Sequence, residues 1–301
     1  MATIESSLWR DMPLSERERE YSPSSCIGGN CQPFVTAYKT RSRDAREHCT
    51  ALAASWQRLS YGAKPSHTID LCVPNVCGPG SRSTPGLLVF LHGGYWQELS
   101  AQDSLFAASG CIEQGHAFAA IDYTLAPLAT VAQIVDECRQ ALRCLVGQAG
   151  CFGFDPARVV VAGSPAGAHL AALLAWPRWR DLIDPACNVR AAELVSGVYE
   201  LEPLVGTGIN AALGMDAAAA RAASPALLDL ARFPQSVVAW GAVETQEFKR
   251  QSQSFARDLT TVGTLVETLE VPQRNHFDVI LDLADASASL GAHTLALLNS
   301  D

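Results

Sequence analysis

Four short stretches carry chemically capable residues, and three of them contain glycine. In "LHGGYW" an apolar run ends in His92, Gly93 and Gly94. Paired glycines at a strand end let backbone N–H groups face a ligand with no Cβ in the way, and such N–H groups can hold an oxyanion. "VVVAGSPAGAHLAALLAW", Val159 to Trp176, runs from an apolar stretch through a glycine turn into an alanine-rich helix. That is the local shape of a G-x-S-x-G elbow, which presents a nucleophilic serine on a sharp turn. Here Pro165 stands at the middle position, between Gly163 and Gly167, and the serine is one place early, at Ser164. "GAVETQEF" places Glu244, with Glu247 as second candidate, after another apolar run, and "RNHFDVI" places His276 before the final helix. A carboxylate that fixes an imidazole tautomer and steadies its charged form makes a general base, and the chain order elbow, acid, histidine is a known one.

The proline has predictable consequences. An elbow nucleophile sits at strained, positive φ, whereas proline is locked near φ of about −65° and carries no hydroxyl. Ser164 would leave the strand in another direction. The residue after it, Pro165, has no N–H to give to an oxyanion, and losing one such donor costs roughly 10²–10³-fold in rate. Ala166 keeps its N–H. The expectation is weak serine hydrolysis at best. Tyr95 and Trp96 are candidates for the pocket or for the core. His92 is expected to brace the glycine loop, His169 to pack on its helix, and Asp122 to tie down its own loop.

These residues need a frame. Strand-like runs ("HTIDLCVP", "LLVFLHGG", "HAFAAIDY", "ARVVVAG", "AAELVSGVY", "QSVVAWG", "TLVETLEVP") alternate with helical patterns such as "VAQIVDECRQALRCLVGQ" and "EFKRQSQSFARDLTTV". Such alternation predicts an α/β class: a doubly wound, mostly parallel sheet with helices on both faces. Helical spacing also covers "FVTAYKTRSRDAREHCTALAASWQRL" and the closing "DLADASASLGAHTLALLNS". Residues 1–34 read as a polar arm with a short helix, and 35–301 as one domain. The alanine-rich stretch near 200–232 is a candidate cap.

Composition narrows the partners. The 301 residues are 48% hydrophobic and 18% charged, with a formal net charge of −9. Nucleic acid is excluded as the main partner, since phosphate binding needs a basic patch, and the N-terminal arginines are interleaved with acids. No apolar run is long enough to span a bilayer, and the N-terminus has no signal-peptide pattern. None of the ten cysteines forms a C-x-x-C pair, so they read mostly as buried thiols in a reducing, cytoplasmic compartment, with no metal site. A small-molecule substrate is expected, no membrane partner, and a homodimer is a candidate assembly.

Taken together, "YSPSS" at Tyr21–Ser25, "LHGGYW", "IDYTLAP", "GFDPARVVVAGSPAGAHLAA", "LVSGVYELEPL", "GAVETQEFKRQS" and "RNHFDVILDL" resemble the kynurenine formamidase (arylformamidase) branch of the α/β-hydrolases, nearly end to end. The resemblance implies a metal-free, cofactor-free hydrolase of N-formylkynurenine or small esters, with a Ser-Asp-His triad. By position His276 matches the triad histidine, Glu244 stands where the family has Asp, and Gly93, Gly94 and Ala166 match the oxyanion donors. Tyr21, Tyr95 and Trp96 would line the pocket. Pro165 falls on the nucleophile, where the family has G-x-S-A-G. Three readings follow. The first is an acyl hydrolase working through Ser164 or through water activated by His276 and Glu244. The second is a lyase, cyclase or isomerase using His276 as base over the glycine loop. The third is an inactive relative that acts by binding.

Overall fold

The strands Leu87–Leu91 (β3), Ala117–Ile121 (β4) and Val159–Gly163 (β5) are buried at every position. Continuous apolar strands of this kind need cover on both faces, which is the parallel-sheet case. In this computed structural model, residues 8–75, 84–179 and 188–300 are described. Eight strands form one sheet in the order β1-β2-β4-β3-β5-β6-β7-β8. The others are β1 (Ser55–Ser60), β2 (Thr68–Val73), β6 (Val189–Val195), β7 (Gln235–Val243) and β8 (Val266–Asn275). From β4 onward neighbouring strands are parallel, while β2 pairs antiparallel with both β1 and β4.

Helices cover the two faces. On one lie α4 (Val131–Gly147), the short α5 (Ala149–Phe152), α6 (Ala166–Ala175) and α9 (Gln246–Thr261), sharing a buried cluster with Leu91, Val161 and Val238. On the other lie α2 (Gln32–Ala51), α3 (Ala108–Glu113) and α10 (Ser289–Asn299), around Phe90, Ala162 and Val237. The start of α4 is fixed by a capping box between Thr130 and Gln133, which satisfies N–H groups the first turn leaves over.

The helix expected over 34–59 ends at Ala51. Ala53 turns the chain at φ 57°, and residues 55–60 become β1, paired over six residues with β2. The ladder outweighs the local helical spacing. The closing helix likewise begins at Ser289, because Val279–Asp282 form a 3-10 turn and Asp282 is held by Arg274 at 2.7 Å. Within the arm, Leu14–Glu20 forms α1, and Tyr21 is fully buried in the core rather than loose. In the alanine-rich stretch, Asn210–Leu213 (α7) and Ala217–Ala222 (α8) are short helices whose Leu213 and Ala220 join the same core. Not all the cysteines are buried: Cys49, Cys72, Cys111 and Cys138 are, Cys31 and Cys144 are half-buried, and Cys26 and Cys151 are exposed. Cys77 and Cys187 lie outside the described residues. No helix among the described residues is long and apolar enough to cross a membrane.

Candidate active site

The ends of β7 and β8 bring the acid and the histidine together. Val243 pairs with Asn275 across the two strands, so the next residues, Glu244 and His276, emerge side by side. His276 Nδ1 lies 2.9 Å from Glu244 Oε2, and both residues are buried. The other carboxylate oxygen accepts from Ser196 Oγ at 2.6 Å and from the Gly241 N–H at 2.5 Å. With the acid fixed on both oxygens and Nδ1–H directed at it, Nε2 is left as the basic nitrogen. Phe248 packs on the imidazole at 4.2 Å between ring centroids.

The glycine loop is strained. Gly94, Tyr95 and Trp96 follow one another at φ 87°, 51° and 60°. Positive φ is costly for residues with a Cβ and persists where the surroundings impose it. The constraint comes from below: Tyr123 Oη donates to His92 O at 2.8 Å, its ring stacks on His92 at 4.1 Å, and His92 Nδ1 lies 3.0 Å from Gly93 O. His92 thus sits under the loop and away from the cavity. Asp122 accepts from the Ala101 N–H at 3.4 Å and lies 3.5 Å from His92 Nε2.

The loop leans directly on the elbow. A Cβ on Gly93 would stand 2.3 Å from Ser164 O and 2.7 Å from Pro165 Cδ. Both elbow glycines have packing reasons. A Cβ on Gly163 would meet Gly167 C at 2.2 Å, and one on Gly167 would meet Leu91 O at 1.8 Å. The tight β5–α6 approach therefore persists while Pro165 itself takes φ −74°, ψ −38°, ordinary helical backbone. No side chain caps α6, so its first-turn N–H groups, Ala166 among them, remain available for negative charge. Ser164 is buried, and among the described residues its Oγ makes no hydrogen bond to His276.

Gly93, Gly94, Tyr95, Ser164, Pro165 and His276 all line a cavity of about 290 Å³, and Tyr21 to Ser24 form part of its wall. Trp96 is not there. It is fully buried and meets His169 edge-on at 5.0 Å. The reversed backbone at Tyr95–Trp96 sends the two aromatics in different directions. His169 Nε2–H donates to Ala223 O at 2.7 Å, and burial lowers its pKa to about 4, leaving it neutral. Glu247 does not reach His276. It accepts from Tyr21 Oη at 2.8 Å and pairs with Arg250 through two contacts of 2.7 and 2.8 Å. Tyr95 Oη donates to Tyr21 O at 2.6 Å, so this buried network also holds the glycine loop. Sequence reasoning passed over Ser196 and Tyr123. Both follow the carboxyl end of a strand, where sites in open α/β sheets gather, and that position was the available signal. Among the described residues no cluster of three or more His, Cys, Asp or Glu could hold a metal.

Residues 75–200 match the BD-FAE family. The chain is 30% identical to kynurenine formamidase of Salmo salar over 292 residues, covering 94% of this chain and 96% of that protein. It is 28% identical to kynurenine formamidase of Danio rerio, covering 92% and 94%. Among solved structures, a protein of Silicibacter sp. TM1040, whose thioesterase assignment is itself provisional, superposes with TM-score 0.77 at 27% identity, covering 93% of this chain and 98% of that one. The esterase of Pyrobaculum calidifontis shares the fold at TM-score 0.68 and 16% identity, covering 95% and 98%. A likeness of 30% identity over 94% of the chain has one meaning: the chain belongs to the kynurenine formamidase family of α/β-hydrolases.

Proposed function

We propose that the protein hydrolyses a small aryl amide or ester, with His276 and Glu244 activating a water molecule. One observation carries this reading. His276, held by buried Glu244 at 2.9 Å, lines the same cavity as Gly93, Gly94 and the turn into α6. His276 Nε2 takes a proton from water, and the water oxygen bonds to the carbonyl carbon. The C=O pair moves onto oxygen, where the N–H groups of Gly93, Gly94 and Ala166 hold it. Collapse expels the amine or alcohol, which takes the proton back from His276. The products are an acid and an amine or alcohol, and the histidine returns neutral.

A second reading keeps a covalent step through Ser164, which lines the cavity beside Pro165. It has the weaker support, because the residue after that serine has no N–H to offer. The relatives above give no support to a lyase, cyclase or isomerase, or to an inert binding protein. The eight described cysteines are free thiols, which supports a cytoplasmic setting.

The test is turnover of N-formylkynurenine, formanilide and aryl acetates, run beside fluorophosphonate labelling with adduct mapping. His276→Ala is expected to lower kcat/KM by roughly 10²–10⁴-fold. Ser164→Ala is expected to stay within about threefold of the parent, because a water nucleophile does not use that hydroxyl. Loss of activity in Ser164→Ala, with an adduct on Ser164 in the parent, would replace the water reading by the serine one. No turnover by the parent, with rapid labelling of Pro165→Ser at position 165, would mean that hydrolysis has been lost from an intact scaffold.

A further inference from the structure

Val35, Tyr38, Arg41, Ala45 and His48 recur every three or four residues along α2, so they share one face of that helix. The first two line the active-site cavity, and the last three line a surface groove of about 650 Å³. The turn after β8 divides in the same way: Ile280 lines the cavity and Leu281 the groove. Among the described residues, Phe106 alone lines both.

The surroundings hold Phe106 as a wall. Its neighbour Leu105 gives its N–H to Ser42 Oγ of α2 at 2.8 Å. Its half-buried ring meets Phe90 edge-on at 5.5 Å between centroids and lies 5.8 Å from Tyr38. Two hydrogen bonds tie α2 to the turn after β8. Tyr38 Oη donates to Phe277 O at 2.5 Å, between two cavity residues, and Arg41 Nη1 donates to Leu281 O at 3.5 Å, between two groove residues. We propose that Phe106 sets the length of substrate the cavity accepts: its ring ends the space open to an alkyl chain on an aryl acyl compound and shuts that chain out of the groove. The groove has apolar lining in Ala45, Leu281, Leu283 and Ala284, so a chain admitted past residue 106 gains burial there. This rests on the hydrolase reading only for the choice of acyl compounds.

The experiment separates binding from turnover. Phenyl alkyl ketones from acetophenone to hexanophenone have no bond to hydrolyse, and calorimetry on the intact protein reads their Kd values. Each CH2 that enters apolar space is expected to tighten binding roughly fourfold. In the parent this gain is expected to stop within the series. In Phe106→Ala it is expected to continue through hexanophenone, which then binds roughly tenfold or more tightly to the variant than to the parent. Phe106→Leu is expected to fall between them, and it replaces the alanine variant if thermal melting shows that one unfolded. A crystal structure of the variant with hexanophenone is expected to place the chain end against Ala45 and Leu281. A gain that does not stop in the parent, identical length profiles in parent and variants, or a chain lying outside the groove overturns the proposal. So does failure of acetophenone and propiophenone to bind at millimolar concentration. Phenyl alkanoates of the same chain lengths are then assayed for turnover. Ketones that shift as expected while no ester is hydrolysed would leave the length limit standing and sink the hydrolase reading.

Discussion

At the scale of single residues, His276 has a buried carboxylate partner in Glu244, while Pro165 occupies the middle of the elbow. Glu244 is one methylene longer than the aspartate of the family pattern, yet it meets His276 because its far oxygen is pinned by Ser196 and Gly241. Ser196 itself sits at φ 52° at the end of β6, a cost the backbone bears where the hydroxyl must point at the acid. Ser196→Ala removes one hydrogen bond to a buried carboxylate and loosens the imidazole's aim. It is expected to lower kcat about tenfold with little change in KM, since charge-assisted hydrogen bonds of this kind are worth about 1.5–3 kcal/mol. Steady-state kinetics check the split. Pro165 shows how far sequence reaches: its ring fixes φ, so the absence of the strained elbow conformation follows from residue type alone, and the observed −74° agrees.

At the scale of elements, β3, β5 and α6 form one close-packed unit. Gly167 is where α6 crosses the end of β3, with no room for a Cβ beside Leu91 O. Gly167→Ala keeps helix propensity favourable but drives a methyl into backbone. The expected result is a loss of about 3 kcal/mol or more by urea unfolding, opposite to the gain usual for Gly→Ala in a helix. The elbow glycines were legible in the sequence as a turn signal. The packing role of Gly167 was not, because it depends on a strand more than 70 residues earlier. The same limit applies to β1, whose Trp56 and Leu59 fit a helical period until the partner strand is known.

At the scale of the whole molecule, the sheet buries an acid that the chemistry does not use. Glu193 on β6 is fully buried, and burial raises its pKa to about 8 from an ordinary 4.5, with Thr294 and His293 opposing. Above pH 4.5 the unfolded chain releases this proton while the folded chain keeps it. Stability is therefore lost as pH rises from 4.5 to about 8 and is flat beyond. Glu193→Gln carries no such loss. It is expected to be more stable than the parent by on the order of 3 kcal/mol at pH 7, and equal to it at pH 4. Thermal melts across that range check the prediction, and a pH-independent difference would count against a protonated Glu193.

The sequence alone determined the alternation of strands and helices, the glycine loop, the order elbow, acid, histidine, and the proline at the nucleophile position. Each of these is a local matter of residue type, period or spacing, and local physics writes it into the chain. The tertiary structure decided the rest. It turned Tyr95 to the cavity and Trp96 to the core, drew Glu244 rather than Glu247 to His276, recruited Ser196 to hold the acid, and packed Tyr21 of the arm under the glycine loop. It also directed the phenol O–H groups of Tyr21, Tyr38 and Tyr95 at protein acceptors. Those outcomes depend on which distant groups meet in space, and no spacing along the chain encodes a meeting between residues 21 and 247 or between 196 and 244.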